Sequence, residues 1–226
     1  AQAAVERLGR ERFPDITADL HVYLSSLRLQ QGRLEEAEHE GLQALEASRG
    51  KDGQDSLRAA RILHQLGKLR MVQRRDQEML AFHLQALEML QRLLGPDHPS
   101  LVLSYTRLGS AYHGVGRNDE AIETWRKALA LQEASPVPET TILANLLLQL
   151  GMVSRVAGRM EEARPLLERA RALYERARGP DNFLVVEVIV EQAMLYGDQG
   201  QHDKTIALTT EALERIQRSM GPQTPR

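Results

Sequence analysis

The side chains able to do chemistry in this 226-residue sequence are seven histidines, 25 arginines and a set of paired carboxylates. His39-Glu40 opens like the zinc-binding HExxH pattern, but the residue at the second histidine position is Gln43, and no other histidine pair lies four apart. His98 sits in a Gly-Pro-Asp-His-Pro run and reads as a turn residue. No metal ligand set follows. Gly114-Val115-Gly116 resembles the start of a dinucleotide loop, yet it follows a helical pattern rather than a strand, so it reads as a helix-end turn. Glu35-Glu36, Asp119-Glu120 and Glu161-Glu162 would suit acid–base catalysis. They are spaced by 84 and 42 residues, and each opens a helical segment, where negative charge complements the helix dipole. One structural reason covers all three. With no cysteine, no phosphate-binding GxxxxGK[ST] and no GxSxG, the sequence reads as no enzyme and implies no cofactor.

The elements that hold these residues are set by a repeat, and 226 divided by 42 is about 5.4. Ala44, Ala86, Ala128, Ala170 and Ala212 are each 42 apart. Leu24, Leu66, Leu108, Leu150 and Gln192 run in step with them, as do Ser25, Gly67, Gly109, Gly151 and Ala193. Gly32, Gly116, Gly158 and Gly200 form a turn series whose missing member is Arg74. A non-glycine residue there costs about 1 kcal/mol if the backbone is left-handed. Within a unit the apolar residues fall three and four apart, as in Leu101, Val102, Tyr105, Leu108, Ala111 and Tyr112, then again in Ala121, Ile122, Trp125, Ala128 and Leu129. Each unit is therefore a helical hairpin that must pack on its neighbours to bury its apolar face. Pro165 is expected early in a second helix, where a missing N–H does least harm, and Gln192 and Thr205 soften the last unit's core.

The pattern Leu108-Gly109, Tyr112, Gly116, Ala121, Trp125 and Ala128 resembles the tetratricopeptide repeat (TPR). Its 42-residue spacing, with Leu94-Gly95-Pro96-Asp97-His98-Pro99 between hairpins, is similar to the kinesin-light-chain type common in bacterial proteins. The resemblance implies an all-α, right-handed superhelical solenoid of about five antiparallel hairpins. The units would be 17–56, 57–98, 99–140, 141–182 and 183–226, with 1–16 the second helix and loop of a truncated preceding repeat in a longer protein.

It also implies a concave groove, lined by first helices, that takes a peptide or partner helix. The residues placed there by register are Arg61, His64, Lys68, Thr106, Arg107, Ser110, His113, Asn145, Gln149, Met152 and Arg155. Arg61, Lys68, Arg107 and Arg155 make the centre basic, whereas Asp19, Glu187 and Glu191 make the ends acidic, which favours a partner carrying acidic residues. Chaperone-binding relatives carry a Lys/Asn/Arg clamp at some of these positions. His64, Lys68, Arg107, Asn145 and Gln149 match it in place but mostly not in type, so chaperone-tail binding is not implied. Net charge is −2, which gives no bulk attraction to nucleic acid, and no apolar run is long enough to span a membrane. The expectation is a cytoplasmic protein-interaction module of a larger bacterial signalling or scaffold protein. The 25:4 ratio of Arg to Lys hints at a high-GC genome. Alternatives are an architectural spacer or homo-oligomer joined through terminal repeats, or the regulatory segment of a kinase or ATPase whose catalytic domain lies elsewhere.

Overall fold

A computed structural model describes residues 12–48 and 55–220. The preceding-repeat helix expected within residues 1–16 lies largely outside the described residues. Among those described, every regular element is helical. The helices are α1 (Pro14–Gln30), α2 (Leu34–Ser48), α3 (Leu57–Val72), α4 (Asp76–Leu94), α5 (Val102–Gly114), α6 (Asn118–Glu133), α7 (Thr140–Val156), α8 (Met160–Arg178), α9 (Phe183–Asp198) and α10 (His202–Met220). A 3₁₀ turn at Pro99–Leu101 leads into α5, with His98 Nδ1 accepting from the Ser100 N–H at 3.1 Å. The chain divides into two compact units, Ala1–Gly116 and Arg117–Arg226.

In the first unit α1 packs on α2, α2 on α3, α3 on α4 and α4 on α5. The turn after α1 shows why the hairpins close where they do. Gly32 takes φ 74°, its N–H bonds to the Leu29 carbonyl at 3.0 Å, and the Arg33 N–H reaches Arg28 at 2.9 Å. This Schellman pattern satisfies carbonyls that the helix end would otherwise leave open. The turn after α3 makes the same two bonds, Arg74 to Met71 and Arg75 to Arg70, with Arg74 held at φ 59°. The strain expected at this position is therefore present. Arg74→Gly should relieve it and raise the midpoint of thermal unfolding by roughly 1–2 °C, since the extra freedom of the unfolded glycine takes back part of the gain. Differential scanning calorimetry of the two proteins checks this, and a lower midpoint would contradict it.

Second helices begin alike. Arg33 pairs with Glu36 at 2.5 Å, Arg75 with Glu78 at 2.7 Å and Arg117 with Glu120 at 2.7 Å, each pair closing the first turn. The acidic pairs thus sit at helix starts, as the repeat register predicted. The first unit's core gathers Ala18, Ala44, Leu45, Ala59, Ala60, Ile62, Leu63, Leu66, Ala86 and Met89. Close approach accounts for Gly67, where a Cβ would stand 2.6 Å from Cε1 of His83.

In the second unit α6 packs on α7, α7 on α8, α8 on α9 and α9 on α10. Its core holds Leu147, Leu148, Leu167, Ala170, Tyr174, Val185, Val188 and Ile189, and Trp125 is fully buried. Gly151 meets Leu167 as Gly67 meets His83, with a Cβ falling 2.6 Å from Leu167 Cδ2. Pro165 is the sixth residue of α8, past the first turn, so the bond it would make to the Glu161 carbonyl is missing and the harm is not minimal. Gln192 is buried and accepts from Arg171 at 3.4 Å. The second helices α6, α8 and α10 are tied by guanidinium–carboxylate links: Arg126–Glu162 at 2.8 Å, Arg159–Asp119 at 2.6 Å, Arg169–Glu133 at 2.6 Å, Arg215–Glu175 at 2.9 Å, and Arg171–Glu211.

Candidate functional site: a cationic cavity beside a buried histidine pair

Within the first unit, α3, α4 and α5 enclose a cavity of about 610 Å³. Six of the predicted groove residues line it: Arg61, His64 and Lys68 from α3, with Thr106, Arg107 and Ser110 from α5. His113 lies on α5 but outside the lining. Asn145, Gln149, Met152 and Arg155 stand on α7, in the second unit. There Arg155 is drawn into a local network. Its Nη1 donates to Asp198 at 2.8 Å, and Nε and Nη2 donate to Glu191 at 3.3 and 3.2 Å. Asn145 hydrogen-bonds the buried Tyr174, whose hydroxyl pKa is nevertheless raised by burial. Arg155 also borders a second cavity of about 410 Å³ with Met194, Asp198 and Thr205.

The first cavity carries a surplus of positive charge. Arg61, Lys68, Arg74 and Arg107 line it against one acidic lining residue, Asp76. Arg61 is 3.6 Å from Asp19, so part of its charge is answered. Lys68 and Arg107 meet no carboxylate among the described residues. Burial alone lowers the Arg107 pKa, which marks a guanidinium held partly out of water without a compensating anion. Met71, Met79 and Ala111 give the lining its apolar part.

His64 is not a solvent-facing groove residue. It is 5% exposed, its Nδ1 lies 3.0 Å from His83 Nδ1, and its Nε2 lies 2.8 Å from Ser104 Oγ. Burial, the neighbouring His83 and the Arg107 charge push the His64 pKa down to about 3. Burial and Arg107 push that of His83 down to about 4. Both rings are therefore neutral at pH 7, and each must act as donor on one nitrogen and acceptor on the other.

Sequence reasoning by first-helix register missed His83, which comes from second helix α4, and Ser104, which faces inward. The signal was in the repeat. At the positions equivalent to Ser104 stand Leu20, Ile62, Leu146 and Val188; at those of His64, Val22, Leu148 and Val190 alongside Thr106. His83 stands where the third and fourth repeats have the buried Trp125 and Leu167, the first has Gly41 and the fifth Thr209. Three polar residues thus occupy positions that other repeats fill mainly with apolar side chains, and the fold brings all three together.

Hairpin packed on hairpin within each unit, with every regular element among the described residues helical, defines an all-α helical-repeat protein. The tetratricopeptide repeat model matches residues 59–134 and 142–218, and the chain belongs to that family. Its fold is that of the kinesin-light-chain-like arrays. BtubC (BKLC) from P. vanneervenii is similar over 97% of this chain and 89% of its own, at 18% identity and TM-score 0.83. The nearly identical TPR-like repeats of a Podosopora anserina protein termed a kinesin light chain match over 92% of this chain and 98% of theirs, at 20% identity and TM-score 0.80. A Rap protein solved with Competence and Sporulation Factor matches over 88% of this chain and 54% of its own, at 14% identity and TM-score 0.64. No curated protein matches the sequence. The family is one of general protein–protein interaction modules, and no helix among the described residues is long and apolar enough to cross a membrane.

Proposed function

We propose that this chain is a protein-interaction module of a larger cytoplasmic bacterial signalling or scaffold protein, and that it binds a peptide or partner helix carrying acidic residues. Arg61, Lys68, Thr106, Arg107 and Ser110, which line the first unit's cavity, are the proposed contacts. The observation that carries this reading is the pair of cations, Lys68 and Arg107, that line a ligand-sized cavity with no carboxylate partner among the described residues. A guanidinium half out of water gains most from an anion delivered to it. The Rap protein solved in complex with Competence and Sporulation Factor, which this chain resembles in fold, supports partner binding by an array of this kind.

The test is affinity capture from lysate with the parent chain and a Lys68→Glu, Arg107→Glu variant, both shown equally helical by circular dichroism. A partner held by the parent is expected to be lost by the variant, a drop of at least tenfold for two reversed charges. A partner that stays on both would move the site away from this cavity. Apolar residues exposed along one stripe of α10, Ile206, Leu213 and Ile216, favour a second reading in which terminal repeats of two copies meet. Under that reading light scattering would show mass rising with concentration, and Ile206→Glu with Leu213→Glu would abolish the rise.

A further inference from the structure

The hydrogens of the buried Ser104–His64–His83 chain can be placed by counting donors and acceptors. Ser104 is 3% exposed, and its hydroxyl has one hydrogen-bond partner among the described residues, Nε2 of His64. A buried hydroxyl proton needs an acceptor, so Ser104 O–H donates and His64 Nε2 accepts. Neutral His64 then carries its proton on Nδ1 and donates it to Nδ1 of His83, 3.0 Å away. Neutral His83 in turn carries its proton on Nε2. The reverse polarity would leave the Ser104 proton facing a buried ring N–H with nothing to receive it. The His83 ring is 6% exposed and lines the cavity, and its Nε2 has no hydrogen-bond partner among the described residues.

We propose that this chain of hydrogen bonds fixes His83 Nε2–H as a donor in the cavity wall, and that together with Lys68 and Arg107 it forms a subsite for an oxyanion of the ligand. The inference rests on the cavity being the binding site and names the chemistry that the site takes. Lys68, Arg107 and the His83 N–H are all donors, so the group they suit is acceptor-only: a carboxylate or a phosphoryl oxygen. Asp76, which also borders the cavity, repels an anion and is outnumbered there by four cationic side chains. Ser104 acts as a positioning residue: it touches no ligand and sets which His83 nitrogen carries the proton.

The test uses the ¹⁵N-labelled chain at pH 7. Long-range ¹H–¹⁵N spectra are expected to show the proton of His64 on Nδ1 and that of His83 on Nε2. Sodium glutarate and sodium phosphate are then titrated separately at constant ionic strength. A saturable shift of His83 Nε2 with either anion supports the subsite, and the anion that produces it identifies the source as carboxylate or phosphoryl. Ser104→Ala should keep the helical circular dichroism, mix the His83 tautomers and weaken anion binding about fivefold to tenfold. A His83 proton found on Nδ1, or no shift with either anion, overturns the proposal. Unchanged tautomer and affinity in Ser104→Ala overturn the role of the serine. If lysate capture depends on Lys68 and Arg107 while neither anion moves His83, this subsite falls and the interaction reading stands.

Discussion

Acidification from pH 6.5 to 4.5 is expected to cost the folded chain about 4 kcal/mol through His64 and His83, and to lower its thermal midpoint by roughly 8–16 °C. An exposed histidine titrates near 6.5, whereas burial pushes His64 down to about 3 and His83 to about 4. The folded state therefore binds fewer protons than the unfolded one as soon as pH drops below about 6.5. The stability from the neutral pair is complete above that pH and declines as pH falls toward 4. Each histidine contributes a slope of up to about 1.4 kcal/mol per pH unit. Glu38 and Glu211, whose pKa values are lowered from 4.5 by arginine partners, begin to lose their stabilisation only as pH reaches that unfolded value, so most of their effect lies below this window. The control is a triple variant, His64→Leu, His83→Leu and Ser104→Leu, which copies Leu148, Leu167 and Leu146 from the second unit. The leucine introduced in place of His83 would then face Gly67 as Leu167 faces Gly151. Replacing a buried polar chain by apolar side chains of matching register is close to neutral or stabilising. The variant should unfold with a much flatter dependence between pH 6.5 and 4.5. Equal slopes in the two proteins would show that the histidines titrate normally and are not buried as described.

Arg70→Ala is expected to remove about 3 kcal/mol, a fall of roughly 6–12 °C in the midpoint. The Arg70 side chain is 4% exposed, yet every part of its guanidinium is engaged. Nε donates to Glu78 at 2.9 Å, Nη1 to Gln73 at 2.7 Å, and Nη2 to Glu38 at 2.7 Å. Phe82 lies under the plane, 5.6 Å away. Truncation leaves Glu38 and Glu78 with only the exposed Arg75 as a shared cation, 3.1 Å from Glu38 and 2.7 Å from Glu78. Both retain some access to water, which is why the expected loss lies toward the low end of the range for a broken buried ion pair. Arg70→Met, which keeps the packing over Phe82 but not the charge, should recover under half of it. A loss below 1 kcal/mol for Arg70→Ala, measured by urea unfolding, would demote the cluster to the rank of ordinary surface pairs.

The hairpins were legible in sequence because their signals are local and repeated. A glycine that must turn left-handed, an alanine that must admit a neighbouring backbone and an acidic residue that must face a helix start recur every 42 residues. The strained exception at Arg74 was legible for the same reason. Much of the site was not. Register alone assigned His64 to an open face, because it reports direction from one helix and says nothing of what the next helix brings. His83 arrives from α4 and Ser104 from α5, 19 and 40 residues away in sequence. Arg155 shows the same limit: its place on α7 was readable, while Glu191 and Asp198, which occupy its donors, come from α9.

The arginine links among α6, α8 and α10 join one hairpin to the next instead of reinforcing a hairpin from within. In a quasi-one-dimensional array, stability divides into an intrinsic part for each repeat and a coupling part between nearest neighbours. These charges belong to the coupling part, and salt weakens the exposed pairs between α6 and α8 more than the partly buried pairs between α8 and α10. Ionic strength then acts on how sharply the second unit melts more than on where it melts. At low salt its hairpins unfold together. At high salt the same segment behaves as a zipper that opens from one end, so a ligand gripping a single repeat transmits its stabilisation over a shorter length of chain.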